Sequence, residues 1–178
     1  MQVMSRQRGV SLIEVLVAIV IFSVGVLGIA LMQIKGAQFT KQSGIRTVAV
    51  LQARSLAEAM RANPAGVYGV PTVDLIPTAG GSLAGSFYLY DGVNAPTCTS
   101  TPACKQATND LNAWLAQLKN GTAGPNAGAV LATVAANAFK AGTLTITVTW
   151  NGTIPDAAGA TTNDTYQFDF QPQPVPAQ

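Results

Sequence analysis

The sequence contains no histidine. No side chain therefore titrates near neutral pH by its ordinary value, and the commonest general base is missing. There are only two cysteines, Cys98 and Cys104, with five residues between them. That spacing is not the C-x-x-C of a redox motif, and two thiols without an imidazole do not complete a usual zinc shell. Charged residues make up 10% of the chain and aromatics 7%, with no basic cluster and no aromatic ladder, so a nucleic-acid partner is not expected. No Gly-x-Ser-x-Gly elbow occurs. The run Gly80-Gly81-Ser82-Leu83-Ala84-Gly85-Ser86 lacks the lysine of a phosphate loop. The acids Asp74, Asp91, Asp110, Asp156, Asp164 and Asp169 are spaced as surface groups, Asp110 being read as favourable at a helix start. No enzyme activity, metal or cofactor is expected. Proline is absent before Pro64.

What the chain has is a long uncharged run. Val15 to Ile34 is twenty residues whose only polar side chains are Ser23 and Gln33. A helix of that length matches a hydrocarbon core of about 30 Å. A short polar segment with Arg6 and Arg8 precedes it, and the positive-inside rule keeps those arginines in the cytoplasm and sends the remainder outward. Glu14 stands within the apolar stretch, where an acid costs about 2.5–3.5 kcal/mol on insertion scales. A cleaved secretory signal would have a shorter apolar region of about 7–15 residues and a small-residue cut after it, for which Gly28-Ile29-Ala30 is a weak match. A plain anchor explains the length but neither the acid nor the glycine ahead of it.

The third reading is a leader cut after Gly9. Gly9-Val10-Ser11-Leu12-Ile13-Glu14-Val15-Leu16-Val17-Ala18 resembles the processing site of type IV pilins and of type II secretion pseudopilins. The resemblance implies that a prepilin peptidase cuts between Gly9 and Val10 and methylates the new amine of Val10, a position usually held by Phe. It implies that Glu14, fifth in the mature chain, pairs with an N-terminal amine, its own or a neighbour's. Farther along, Gln33, Ala37, Arg46, Thr47, Ala49 and the run Leu56-Ala57-Glu58-Ala59-Met60-Arg61-Ala62-Asn63-Pro64 resemble the first helix of the PilV minor pilins. Cys104, Asp110, Leu111, Trp114 and Val148-Thr149-Trp150 fit the same family.

That resemblance implies a structural subunit that helps initiate pilus assembly, in the filament or at its tip. Its implied partners are other minor pilins, the major pilin, the inner-membrane assembly platform and a tip adhesin. The implied location is the inner membrane, single-pass with a periplasmic head, and then a surface pilus. A minor pseudopilin of type II secretion shares the N-terminal signature, and a membrane-anchored adhesin or binding module is the reading from a different class.

The expected organisation is a leader at 1–9, a transmembrane half-helix at 10–35, an amphipathic half-helix at 36–61 and a head at 62–178. Residues 10–61 carry five basic and two acidic groups, net +3, and residues 62–178 carry three and six, net −3. Opposite signs of this kind favour packing between neighbouring subunits, though each exposed pair is weak. Export puts Cys98 and Cys104 in an oxidising space, where a disulfide is the default.

The fold class expected is α+β: one long helix on a small antiparallel sheet. Val10 to Arg61 reads as continuous helix, roughly 78 Å at 1.5 Å per residue, softened at most by Gly25, Gly28, Gly36 and Gly44. Ile45, Val48, Ala49, Ala53, Leu56 and Met60 form an apolar stripe, and Asn63-Pro64 ends the helix. Ala65 to Gly85 reads as irregular and Ser86 to Asp91 as a strand. Lys105 to Lys119 reads as a helix with Leu111, Trp114, Leu115 and Leu118 on one face, followed by a loop over Gly121–Gly128. Ala129 to Ala135 leans to strand. Thr143 to Trp150 alternates aliphatic and threonine, and Tyr166, Phe168 and Phe170 mark a last strand, with Asn151–Asn163 as an exposed connection and a proline-rich tail. Sequons at Asn120, Asn151 and Asn163 are read as chance matches in a chain rich in Asn and Thr.

Overall fold

The computed structural model describes residues 11–77, 82–94, 97–122, 131–155 and 161–172. The chain forms two compact units, Met1–Thr40 and Lys41–Gln178. Helix α1 runs Leu12–Ala62 without a break, no proline interrupting it despite its many β-branched residues and four glycines. Ser11 starts it, its carbonyl accepting from the amides of Glu14 (3.0 Å) and Val15 (3.3 Å).

Asn63 does more than end α1. Its backbone is non-helical (φ −128°, ψ 66°), as a residue before proline should be, and its side chain accepts from the Gly66 amide. With Pro64 at the first position, that cap starts a second short helix, α2 (Pro64–Tyr68). Gly69 closes α2 at φ +68°, where a Cβ would lie 1.9 Å from the Gly85 carbonyl oxygen, so only glycine fits. The segment expected to be irregular therefore holds α2 and a 3₁₀ turn at Val73–Leu75.

Ser86–Asp91 is not a strand. It makes a single antiparallel bridge, Tyr90 to Val134. The Ser86 amide bonds Leu83 O, and the Ser86 hydroxyl accepts the Tyr88 amide at 3.2 Å, which folds the segment into turns. Its β-prone side chains are used in the core instead: Tyr88 is wholly buried.

Helix α2 is followed by α3 (Pro102–Thr122), longer at both ends than the Lys105–Lys119 periodicity requires. Ala107, Leu111, Trp114 and Leu118 form its buried face. Asp110 consequently lies in the body of α3, not at its start. Three strands complete the fold, β1 (Leu131–Ala136), β2 (Leu144–Pro155) and β3 (Thr161–Phe170), in the order β1-β2-β3 and antiparallel throughout. Residues 129–130 of the expected first strand, 123–128 of the expected loop and 173–178 of the tail lie outside the described residues.

Register follows the pattern of side chains. Val134, Ile146 and Phe168 stand in one row, Ala132, Val148 and Tyr166 in the next. Leu144, Ile146, Val148 and Trp150 all point into the core while Thr145, Thr147 and Thr149 face outward. The ladder does not stop at Trp150. It continues through Asn151–Asn163 to Pro155–Thr161 with a bulge between Asn151 and Pro155, so most of the expected connection is strand.

The inner sheet face is covered by the second half of α1. Ala49, Ala53, Leu56, Ala57 and Met60 are buried in one cluster with the sheet residues and α3. The alanines let the helix approach closely, and each larger aliphatic buried contributes about 1.5–3 kcal/mol. Trp114 joins α3 to α1 by donating its indole N–H to the Gln52 carbonyl at 3.0 Å. Gln42 donates to Asp164 Oδ2 on β3 at 2.6 Å. The arrangement is α+β and pilin-like: a long N-terminal helix packed on a small three-stranded antiparallel sheet.

Candidate functional site

The first half of α1 is the segment with an unmet physical demand. Every residue from Ser11 to Ala37 is exposed, including Ile21 at 67% and Phe22 at 72%. Among the described residues, α1 is the one helix long and apolar enough to cross a membrane, by length and composition. A continuous apolar surface of this extent is uncovered by its own chain and needs lipid or other helices. The rare polar side chains are neutralised locally: the Ser23 hydroxyl donates to Ile19 O at 2.7 Å, and the Thr40 hydroxyl to Gly36 O at 3.0 Å. At Gly25, Gly28, Gly36 and Gly44 a Cβ would meet nothing within 4 Å, so these glycines are not needed for packing within the chain.

Glu14 lies in the first turn of α1 and is exposed. An acid there is favoured by the positive end of the helix dipole. Gly9 and Val10 lie outside the described residues. Cys98 and Cys104 are joined as a disulfide with a Cα–Cα distance of 5.8 Å, within the ordinary range. Cys104 stands in the first turn of α3, its amide donating to the Thr101 hydroxyl.

Two polar clusters in the head were not legible in the sequence. The first is buried at Tyr88 and Asn63 and half-buried at Asp110. Tyr88 Oη donates to Asp110 Oδ2 at 2.6 Å and accepts from Asn63 Nδ2 at 3.2 Å, and Asn63 Nδ2 also donates to Ala103 O at 2.8 Å. Burial, reinforced by the bond to Asp110, pushes the Tyr88 hydroxyl well above its ordinary range. The second cluster braces the β1–β2 turn. Asn137 Oδ1 accepts from the amides of Phe139 and Lys140, both at 2.9 Å, while Asn137 Nδ2 donates to Thr145 at 2.9 Å. Lys140 Nζ donates to Asp169 Oδ2 at 2.6 Å, and with the Thr145 hydroxyl this holds the Asp169 carboxyl below its usual range. No group of three or more metal-ligating side chains occurs among the described residues.

These clusters organise the head; the α1 surface is what points outside the chain. Residues 4–30 match the family model of the prokaryotic N-terminal methylation motif. The chain has a type IV pilin-like prepilin N-terminus. The matched stretch contains Gly9, Val10 and Glu14 and runs into the uncovered part of α1. Such a motif implies processing by a prepilin peptidase and assembly with pilus-type components, and it accords with anchoring by an apolar helix. No curated protein and no solved structure gives a significant match.

Proposed function

We propose that this chain is a structural minor pilin of the type IV pilus, similar to the PilV group, that helps initiate assembly in the filament or at its tip. The observation that carries the reading is the methylation motif at residues 4–30 placed directly on an apolar helix face that its own chain leaves uncovered. Proteins with this motif are generally structural, which supports a role in packing rather than in catalysis.

In this reading residues 1–9 are removed and the amine of Val10 is methylated. Residues 10–35 hold the protein in the inner membrane with the head in the periplasm. Residues 36–61 then serve both as the cover of the sheet and as a filament-facing surface, with 62–178 as the head. Glu14 offsets an N-terminal amine in a low-dielectric setting, where each charge alone is costly. In a filament that partner is the amine of a neighbouring subunit, which sets the axial register. The Cys98–Cys104 bond staples the head outside the cytoplasm. The remaining partners are other minor pilins, the major pilin, the assembly platform and a tip adhesin.

The pilus is favoured over a type II secretion system by the run Leu56 to Pro64, where Asn63 ends α1, caps α2 and bonds to Ala103 ahead of Cys104. Deleting the protein should reduce surface pili and twitching while protein secretion continues. Normal piliation with failed secretion would assign it to the pseudopilins instead.

A further inference from the structure

One exposed side chain stands apart from the apolar helix. Phe139, at the tip of the β1–β2 turn, is 98% exposed. It is not on a loose loop. The Asn137 amide donates to Thr143 O at 2.8 Å to close the turn, Asn137 caps the Phe139 and Lys140 amides, and Gly142 turns the chain at φ +70°. Asp169 on β3 ties Lys140 and Thr145 to the same platform. An aromatic held rigidly in water forfeits its burial in the monomer, and rigidity lowers the ordering cost when it is buried by a partner.

A matching depression lies beside it. An open groove of about 610 Å³ is lined by Ala84, Leu89, Tyr90, Asp91, Val134 and Ala136, at the β1 edge that the single Tyr90–Val134 bridge only partly covers. Its walls are mostly apolar and its rim is acidic. Asp91 accepts from the Asn94 and Val93 amides, and these bonds hold its carboxyl below the usual range. The projecting tip presents Phe139 followed at once by Lys140. Apolar wall and carboxylate rim thus match aromatic knob and ammonium. The Lys140–Asp169 pair is exposed, so the ammonium can meet a second carboxylate while Asp169 keeps it on the platform.

Knob and groove are neighbours: Ala136 lines the groove and is three residues from Phe139. A surface carrying a knob and its complement side by side can close reciprocally about a two-fold axis. The geometry points to a docking surface for a second copy of this chain, with Phe139 of each head seated in the β1-edge groove of the other and Lys140 beside the opposing Asp91. The pairing does not depend on whether the chain serves pili or secretion.

The test replaces Phe139 with benzoyl-phenylalanine in the full chain in membranes, irradiates, and maps the product. An adduct at twice the subunit mass, joined to residues 84–94 or 131–136 of the second copy, is expected. Ala84 is exposed, so Ala84→Arg should leave the melting temperature unchanged and cut the adduct at least tenfold. Asp91→Asn, which keeps an acceptor for the turn, should cut it several-fold. An adduct only to a different protein, an adduct mapping to α1, no adduct, or a yield indifferent to both variants would overturn the proposal.

Discussion

Tyr88 donates its hydroxyl to the Asp110 carboxylate at 2.6 Å, in a position where the tyrosine is wholly buried. That bond joins the turn segment before the disulfide to the middle of α3. Through Asn63, which donates to the same hydroxyl and to Ala103, it reaches the end of α1 and the start of α3. Three pieces distant in sequence meet at one oxygen. The node links the end of α1, which carries the buried Leu56 and Met60, to α3, which carries the buried Leu111 and Trp114.

Tyr88→Phe removes the hydroxyl and leaves Asn63 and Asp110 each short of a partner. The expected loss is about 1–3 kcal/mol, read from denaturant unfolding of the head signal. The pH dependence has a defined sign. Tyr88's folded value is raised above the ordinary tyrosine range, so its contribution is fully present below pH about 10 and is lost as pH rises from there. Wild-type stability should fall in that alkaline range more steeply than that of Tyr88→Phe. Parallel alkaline slopes for the two proteins would contradict the buried node.

The Cys98–Cys104 bond closes a short loop immediately ahead of α3. On the chain-entropy model its loss costs about 2 kcal/mol. Protein taken from the oxidising side of the membrane should take up no alkylating reagent until it is reduced, as read by intact mass. Reduction should lower the unfolding midpoint without abolishing the fold, since Thr101 still caps the helix start. Two freely alkylated thiols in native protein would sink the staple.

Glu14→Ala should still be processed and still reach the membrane, because the cut site and apolar run are intact. It should enter pili poorly, with the protein held in the membrane fraction and depleted from the sheared-pilus fraction. Incorporation equal to wild type would refute the pairing of this carboxylate with an amine.

The sequence carries the long elements openly and hides the short ones. β2 is plain because aliphatic and threonine residues alternate without exception from Leu144 to Trp150, and a half-buried strand needs that period. α1 is plain because nothing interrupts it. Asn151-Gly152 resembles a turn, yet the ladder absorbs it with a bulge farther on, since pairing continues to supply backbone partners. Asn63-Pro64 is legible as a stop, but the same pair is also a cap and a first helical position, which was the available signal for α2. Ser86–Asp91 misleads because burial of Tyr88, not pairing, uses its β-prone residues. The N-terminal site is legible as a motif. The Tyr88 node and the Phe139 platform are not, because their partners lie 22 to 40 residues apart or on another strand.

Residues 4–30 match the methylation motif, and the proposed role requires that the segment be processed as a prepilin. N-terminal mass spectrometry of the protein recovered from membranes and from sheared pili tests it most directly. The chain should begin at Val10 with a methylated amine, and Gly9→Leu should retain the leader. A chain that begins near Leu31, or an unprocessed start in protein recovered from pili, would contradict it.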